Sequence, residues 1–425
     1  MRVQSLQGEL YQKAKQEKGF KFYVLYDKVC SRETLEEAYR RVKKNDGSPG
    51  IDKISFDEIT DEVKFLSEIE SELKNFNYKP SPVMRVMIPK ANGSMRPLGI
   101  PTIKDRVVQM AVKLVIEPIY EADFVDNSHG FRPKRSAKDA IKAIKSNLQA
   151  GKTTVLDADL SSYFDTIPHE KLLKVLKQRI SDKHILKLIV MWLKTPVADG
   201  EIIKRSNLGT PQGGVISPLL SNIYLNVMDK IITNPKSVFS REGVTLVRYA
   251  DDFVLIGKTI SDNVLDKLNN LLEYMGLKLN LEKTKVVKAK EKGFDFLGFN
   301  FSYDKSMMSL GKYWNIKASK KSLHKLKMKL KDYLKPRVAV KEPILVNGIN
   351  EIVRGWLNYF KIPSVSYIKK TASKIREYLS MRLKRLYLRK SQRAYKSTHQ
   401  NKYEMLVKRY KLINLYEYAS GTVKA

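Results

Sequence analysis

The sequence predicts an α+β protein in which strands and helices alternate up to about residue 300 and helices follow. Three observations predict this class. Residues 83–90 and 95–100 have the pattern of two strands joined by Asn92-Gly93, a dipeptide typical of β-hairpin turns. Residues 244–257 have the pattern of a second hairpin, with an acidic tip between two apolar runs. Past residue 300, apolar residues recur at helical spacing in a strongly basic background.

The other elements follow from local signals. Ser31 is suited to cap a helix that runs to Lys44, because apolar residues then recur on one helical face. Residues 45–50 (Asn-Asp-Gly-Ser-Pro-Gly) can only form a loop. Further expected elements are an apolar helix over 106–120, a strand over 153–160, a helix over 169–180 and a helix from Ser217-Pro218 onward.

Two long stretches of the C-terminal part are almost purely cationic. Residues 312–341 contain eleven Lys or Arg and one acid, and residues 369–411 contain fifteen against two acids. Both are predicted to form basic amphipathic helices. A solvated helix face normally mixes both signs, so a phosphate-contacting surface is favoured here. The candidate nucleic-acid contacts on these helices are Lys320, Lys325, Lys329, Arg382 and Arg385.

The composition limits the partners and the compartment. A net charge of +34 is costly unless a polyanion is bound, which favours nucleic acid over an anionic membrane surface. No run of about 18 apolar residues exists that would span a bilayer. The single cysteine, Cys30, excludes an intrachain disulfide and a cysteine-ligated zinc site. A reducing cytoplasm is the expected location.

Two acidic strand ends suggest a metal site. Asp251 and Asp252 stand at the tip of the second hairpin, and Asp157 and Asp159 share one face at the end of the 153–160 strand. Each feature alone also fits a solvated turn or a helix cap. Together, in a basic chain, they suggest that the carboxylates converge on two Mg²⁺ ions that promote phosphoryl transfer.

Several segments of the chain resemble motifs of the reverse transcriptases of group II introns. Tyr249-Ala250-Asp251-Asp252 resembles the polymerase signature of that family, and Asp159-x-x-x-x-Phe164-Asp165 resembles its first catalytic motif. Other segments that match the family in the same order are 45–52, 88–102, 128–135, 209–218, 276–285, 296–299 and 354–361. The resemblance covers about residues 31–361.

This resemblance implies a domain order. A right-hand polymerase, with fingers and palm over residues 31–300, would follow an N-terminal extension of residues 1–30. An α-helical thumb and maturase domain that binds RNA would occupy 301–390. Residues 391–425 would form a basic segment that either binds DNA or completes the thumb.

The resemblance also implies roles for single residues. Asp159 and Asp251 would hold the two Mg²⁺ ions, with Asp252 a weaker or indirect ligand. Phe164 would exclude a 2′-hydroxyl, although a core aromatic is the alternative. The remaining implied roles are triphosphate contacts for Lys90 and Arg96, a contact with the nascent base pair for Gln212, proton donation to pyrophosphate by Lys285 or Lys283, and nucleic-acid contacts for Arg132, Gly213 and Arg354.

Several neighbouring residues have a simpler interpretation. His129 and His169 are expected to be structural, because metal ions can activate a primer hydroxyl without a general base. Trp356, Tyr359 and Phe360 have helical spacing and are expected to pack in a core. The glycines around Gln212 fit a tight turn as well as a close approach to nucleic acid.

The implied activity is RNA-directed DNA synthesis with dNTPs on an RNA template with a DNA primer. The implied second role is binding of group II intron RNA, for splicing and for insertion into target DNA. One cysteine and no His-Asn-His cluster predict an endonuclease-less form, in a cytoplasm of bacterial type. The alternatives are an RNA-binding splicing cofactor with weak polymerase activity, or a domesticated enzyme of defence or repair. The sequence gives no oligomeric state.

Overall fold

A computed structural model describes residues 3–89, 93, 95–199, 202–204, 208–209, 213–306, 311–390 and 401–420. The strands are β1 Val83–Pro89, β2 Met95–Ile100, β3 Thr154–Ala158, β4 Val197–Asp199, β5 Ile202–Lys204, β6 Thr245–Tyr249, β7 Asp252–Gly257, β8 Lys285–Lys288, β9 Phe294–Phe296, β10 Phe299–Lys305 and β11 Lys312–Ala318. The helices are α1 Val3–Gln16, α2 Tyr26–Val29, α3 Arg32–Asn45, α4 Glu62–Lys74, α5 Ile103–Glu121, α6 Ala137–Gln149, α7 Tyr163–Thr166, α8 His169–Leu176, α9 Lys183–Leu193, α10 Ser217–Thr233, α11 Val238–Arg241, α12 Asp262–Tyr274, α13 Lys320–Leu334, α14 Glu342–Phe360, α15 Lys369–Lys390, α16 Lys402–Tyr410 and α17 Leu415–Ser420. The predicted α+β class is confirmed.

Local capping explains where two of the predicted helices begin. The Ser31 side chain accepts a hydrogen bond from the Thr34 amide, as a helix N-cap does. The Thr102 side chain accepts from the Asp105 amide, so α5 starts three residues before the predicted position. Most of α5 is buried, and α1 and α3 pack against it.

The chain divides into two compact units. The first comprises Met1–Ser136, Ala158–Leu255 and Thr259–Lys285, and the second comprises Ala137–Asp157, Ile256–Lys258 and Val286–Ala425. Residues 3–30 therefore belong to the first unit: Leu6, Leu10 and Ala14 of α1 are buried within it. The predicted N-terminal extension of residues 1–30 thus falls within the first compact unit.

The described strands form three sheets. A sheet of order β2-β1-β4-β5 contains the predicted first hairpin, with β1 and β2 antiparallel from Met84 opposite Ile100 to Pro89 opposite Met95. A second sheet has the order β6-β7-β3-β8 and carries the acidic strand ends. The third has the order β11-β10-β9, with Phe301 opposite Ile316.

One predicted element is wrong. Residues 312–318 belong to a strand and not to a basic helix. Trp314, Ile316 and Ala318 are buried at a spacing of two, so this part of the basic stretch pairs with β10. The helical prediction is confirmed over Lys320–Leu334, where Leu326 and Leu330 are buried along α13, whereas residues 335–341 are not helical.

The helices of the second unit form its core. Leu379 and Leu383 of α15 are buried, and α13, α16 and α17 pack against this helix. The amide of Asn350 in α14 donates to the Lys411 carbonyl, and the Ile413 amide donates to its side-chain oxygen. Residues 401–420 are therefore packed into the helical unit past the boundary expected at residue 390. Within the described ranges, no helix is both long and apolar enough to cross a membrane.

Candidate active site

The acidic hairpin tip is a tight turn between β6 and β7. Ala250 has a φ of +57°, a left-handed conformation that residues with a side chain rarely adopt. Asp251 follows in the turn and is half-buried, whereas Asp252 begins β7 and is exposed. The strands on both sides are buried, with Leu246 and Phe253 inaccessible to solvent. The turn is thus a rigid support for two carboxylates at the edge of the core.

Asp159 follows directly after β3 and contacts the segment that follows α12. Its backbone carbonyl accepts from the Asn280 amide at 2.8 Å. Its carboxylate Oδ2 accepts from Nζ of Lys283, also at 2.8 Å. The structure therefore gives Lys283 a direct contact with a predicted metal ligand, which the sequence did not distinguish from Lys285. Lys285 begins β8, and its side chain is exposed.

The acids are close enough to influence each other's protonation. Burial raises the pKa of Asp251, and the negative charge of Asp159 raises it further. The Asp251 amide, Arg96 and Arg248 act in the opposite direction. The pKa of Lys283 is raised by its hydrogen bond to Asp159 and by the charges of Asp252 and Asp251. The three predicted acids therefore form one electrostatic cluster around a lysine.

The donor set fits a magnesium site that the substrate helps to complete. In the described part of the chain, no three His, Cys, Asp or Glu side chains lie close enough together to hold an ion by themselves. Mg²⁺, however, usually keeps several waters and binds one or two carboxylates together with substrate phosphates. Asp159 and Asp251 provide hard oxygen donors, and their mutual repulsion favours a cation between them.

The predicted nucleotide contacts divide into two groups. Arg96 lies on β2, and its charge lowers the pKa of Asp251, so it is within electrostatic range of the acids. Phe164 is half-buried in α7, with its ring edge-on to Tyr163 at a centroid distance of 5.5 Å. Lys90 and Gln212 lie outside the described residues, so their roles stay predictions.

Two glycines near Gln212, Gly209 and Gly213, lie close against protein backbone. A Cβ on Gly213, whose φ is +114°, would lie 2.2 Å from the Gly99 carbonyl of β2. A Cβ on Gly209 would lie 2.7 Å from the Phe164 carbonyl. Glycine is therefore required at both positions by packing within the protein. The predicted contact of Gly213 with nucleic acid is not needed to explain this residue and stays a prediction.

Arg132 requires a correction. Its side chain is 2% exposed and pairs with Glu121 at 2.7 Å. Its guanidinium also donates to the carbonyls of Val125 and Ser128 and lies 5.1 Å from the ring centroid of Phe124. A guanidinium enclosed in this way cannot reach a phosphate, so Arg132 holds the 125–132 loop together and the predicted nucleic-acid contact is wrong.

Both histidines are buried, which is compatible with the structural roles predicted for them. His169 is buried, and its Nε2 lies 2.6 Å from the Gly209 carbonyl. His129 is buried, and its backbone amide donates to the Arg248 carbonyl at 2.9 Å. The His169 imidazole thus contacts the backbone at Gly209, and both imidazoles are shielded from solvent.

The basic helices present most of the candidate RNA contacts to solvent. Lys320, Lys325 and Lys329 of α13, Arg354 of α14 and Arg385 of α15 are exposed, and Arg382 is half-buried. An open cavity of about 310 Å³ at one end of α13 and α15 is lined by Leu334, Arg382, Arg385, Leu386, Leu388 and Arg389. This cavity combines cationic and apolar walls.

The aromatic residues of the 354–361 segment contact one another, but of the three only Phe360 is buried. The Trp356 and Phe360 rings lie 4.4 Å apart, and Phe360 contacts Phe299 at 4.8 Å. Tyr359 is partly exposed, and its hydroxyl donates to the Leu297 carbonyl. Core packing is therefore confirmed for Phe360, whereas Trp356 is half-buried and Tyr359, 38% exposed, lies at the surface.

Sequence reasoning missed a buried ion pair next to the acidic turn. Arg248 of β6 and Asp229 of α10 are both 0% exposed and are paired. The available signal was a cation inside the apolar run Leu246-Val247-Arg248, since a charge in such a strand requires a buried partner. The sequence did not indicate which acid would be that partner.

Two family models and several relatives match the chain. Residues 88–301 match the family model described as reverse transcriptase (RNA-dependent DNA polymerase), and residues 323–404 match the group II intron, maturase-specific domain. The chain is 36% identical to protein YkfC of Escherichia coli, over 70% of this chain and 88% of YkfC. It is 38% identical to the group II intron-encoded protein LtrA of Lactococcus lactis, over 52% of this chain and 37% of LtrA. It is 30% identical to an uncharacterized 91 kDa protein in the cob intron of Schizosaccharomyces pombe, over 66% of this chain and 41% of that protein. The chain thus spans most of YkfC and about two fifths of the two intron proteins.

Proposed function

Because this chain belongs to the reverse transcriptase family and carries the maturase-specific domain of group II introns, we propose that it extends the 3′-hydroxyl of a DNA primer on an RNA template, with dNTPs and two Mg²⁺ ions. The observation that carries this proposal is the electrostatic cluster of Asp159, Asp251 and Asp252 around Lys283. Carboxylates at strand ends in a chain of net charge +34 suit a polyanionic substrate that brings metal ions with it.

Asp159 and Asp251 would hold the metal ions, and Asp252 would be a weaker or indirect ligand. When bound, the ions would neutralise phosphate charge and lower the pKa of the primer hydroxyl. The burial of Asp251 beside Asp159 supports this ranking, because a half-buried carboxylate gains more from a cation than the exposed Asp252 does.

Lys283 is the better supported proton donor to pyrophosphate. Its ammonium is bound to Asp159, and the surrounding acids keep it protonated. A cation that takes over Asp159 would release this ammonium toward the phosphates, where it can donate a strong charge-assisted bond. Lys285 is the alternative, and the pair of variants Lys283→Ala and Lys285→Ala separates them: loss of a general acid slows the step by about 10²–10⁴-fold.

Arg96 is proposed to bind the incoming triphosphate. Its charge lowers the pKa of Asp251, which supports a position within electrostatic range of the acids that would hold the metal ions. Lys90 and Gln212 are proposed to assist it. Phe164 is proposed to exclude the 2′-hydroxyl of ribonucleotides.

The maturase-specific domain implies binding of intron RNA. We propose that cations on α13, α14 and α15, five of them exposed and Arg382 half-buried, make this contact and also guide template and target DNA. The residues concerned are Lys320, Lys325, Lys329, Arg354, Arg382 and Arg385. Such a surface would support splicing and target-primed insertion of the intron.

We place this activity in a bacterial cytoplasm. The single cysteine, Cys30, is a buried free thiol, which a reducing compartment preserves. YkfC and LtrA, to which the chain is similar, are proteins of bacteria.

Primer extension on poly(rA) with oligo(dT), dTTP and Mg²⁺ tests the proposal. Wild type is expected to extend the primer, and Asp251→Ala is expected not to. Asp266→Ala is the matched control, because it removes an exposed carboxylate on α12 outside the site. A wild-type protein that binds RNA but extends no primer would contradict the polymerase proposal and favour a splicing cofactor.

A further inference from the structure

A buried ion pair lies directly behind the acidic turn. Nε of Arg248 donates to both carboxylate oxygens of Asp229, at 2.8 and 3.0 Å. Both side chains are 0% exposed. Burying two charges is expensive, and well-packed apolar residues of similar volume often stabilise a core as well or better. Stability alone therefore does not explain this pair, and the other contacts of the Arg248 guanidinium suggest what it does.

Nη1 of Arg248 faces the turn. It donates to the Ala250 carbonyl at 2.8 Å and to Oδ1 of Asn222 at 2.9 Å. Ala250 has a φ of +57°, so the turn adopts a conformation that its own residue type disfavours. The guanidinium thus binds the carbonyl of the strained residue that immediately precedes Asp251.

Asn222 extends the contact to the other side of the turn. Its Nδ2 donates to the Gly130 carbonyl at 2.8 Å. A Cβ on Gly130 would lie 2.3 Å from the Ala250 amide nitrogen, so the two backbones are in direct contact. The backbone of Arg248 also bonds both neighbours of Ser128, by accepting from the His129 amide and donating to the Asn127 carbonyl, each at 2.9 Å.

From these contacts we infer that Arg248 is the positioning residue of the polymerase site. Its ion pair with Asp229 fixes the guanidinium, and the guanidinium in turn holds Ala250, so that Asp251 is placed correctly before any metal or nucleotide arrives. Asn222 and Gly130 complete this turn clamp, defined as Asp229, Arg248, Asn222 and Gly130. The inference rests on the proposed function, but its structural part concerns the turn alone.

Arg248→Lys separates positioning from general stability. Lysine keeps the buried positive charge for Asp229, but it lacks the planar fork that reaches Ala250 and Asn222 together. The matched control is Arg179→Lys. Arg179 is also buried and paired, with Asp123 at 3.1 Å, and its other donors bind carbonyls of Ala14 and Glu17 and not the turn.

The first measurement is hydrogen–deuterium exchange of the 246–255 peptide in metal-free protein. Because Arg248→Lys loses the hydrogen bond to the Ala250 carbonyl, exchange of this peptide is expected to become roughly tenfold faster. In Arg179→Lys this peptide is expected to exchange at the wild-type rate, even if both substitutions lower the melting temperature by the same amount. This readout needs neither metal nor activity, so it decides the inference even if wild type extends no primer.

The second measurement is the Mg²⁺ concentration for half-maximal extension. Removing a group that orients a metal ligand typically costs about 10–100-fold in affinity or activity. Arg248→Lys is therefore expected to raise the Mg²⁺ requirement and lower kcat, with little change in affinity for template–primer. If Arg248→Lys does not fold, Asn222→Ala, which leaves the ion pair intact, is expected to change both readouts in the same direction. Exchange and Mg²⁺ dependence equal to those of Arg179→Lys would overturn the inference.

Discussion

Asp251 is a residue whose ionised form is disfavoured by its own surroundings. Its pKa lies above the ordinary 3.8 because it is buried and faces Asp159. A carboxyl with a raised pKa in the folded state costs stability as pH rises through that pKa, and at pH 7 the full cost is present. Active sites commonly retain such a cost because function requires the charge.

Asp251→Asn is therefore expected to raise the melting temperature of the metal-free protein at pH 7 while it abolishes extension. The loss of activity should be about 10³-fold, since several kcal/mol of transition-state stabilisation disappear with the metal ligand. Thermal unfolding in EDTA at pH 7 and near pH 3.8 measures the stability change, and the gain should shrink at the lower pH. Asp252→Asn, at an exposed position, should show a smaller gain and a smaller loss; equal effects of the two variants would contradict the ranking.

Phe164 is half-buried and rests edge-on against Tyr163. If its ring fills the space of a 2′-hydroxyl, Phe164→Ala should reduce discrimination against ribonucleotides by about tenfold or more. The ratio of kcat/KM for dTTP and UTP measures this. Tyr163→Phe is the control, because it removes a buried hydroxyl that bonds the Ser221 carbonyl without changing the neighbouring ring. Unchanged discrimination in Phe164→Ala would place the selection elsewhere.

At the scale of elements, α13 is the clearest candidate for an RNA-contacting helix. Lys320, Lys325 and Lys329 are exposed along it, while Leu326 and Leu330 hold its other side in the core. Replacing the three lysines with glutamine removes charge and leaves the packing intact. Because each phosphate contact contributes about 0.7–0.9 to the slope of log affinity against log salt, that slope should become shallower by about 2 to 3.

Filter binding of structured intron RNA between low and moderate salt measures that slope. The control is glutamine at Lys64, Lys236 and Lys267, three exposed lysines of the first unit, which lowers the net charge equally. If both triple variants weaken binding alike, total charge and not α13 determines affinity.

The elements also show which features a sequence can predict. The Asn92-Gly93 hairpin, the acidic hairpin and the Ser31 cap depend on neighbouring residues, and the described residues confirm all three elements. The sheet of β9, β10 and β11 was missed, because its first strand has three residues and its last is rich in lysine. Whether β11 forms a strand depends on its pairing with β10, which is a contact that the local sequence does not indicate.

The candidate site divides in the same way. Asp159, Asp251 and Asp252 could be predicted, because they stand at the ends of predicted strands and match the motifs of a known family. The choice of Lys283 depends on how the chain after α12 lies beside Asp159, and the Arg248–Asp229 pair joins residues 19 apart on different elements. Arg132 was misassigned because a conspicuous arginine in a loop looks the same in sequence whether it faces RNA or Glu121. Long-range partners of charged residues are thus the part that sequence does not supply.

In the whole molecule, the clustered acids and the basic helices lie in different compact units. The acids and Lys283 lie in the first compact unit, whereas α13, α14 and α15 lie in the second. Lys and Arg exceed Asp and Glu by 79 to 45, so the few clustered acids stand out as a site for cations within a polycationic protein. A nucleic acid would satisfy both parts, since its phosphates neutralise the lysines and share the metal ions.

Binding of a poly(rA)–oligo(dT) template–primer is therefore expected to fall steeply with salt. The physical reason is the release of counterions that the Lys and Arg side chains displace, and a footprint of six to ten phosphates loses about 10³–10⁵ in affinity between 50 and 200 mM salt. Fluorescence anisotropy of labelled template–primer over this range measures the slope. Thermal unfolding at each salt concentration is the control that separates loss of binding from loss of fold. A flat response with the fold intact would mean that the net charge of +34 does not serve nucleic-acid binding, and it would remove the main support for the basic helices as a contact surface.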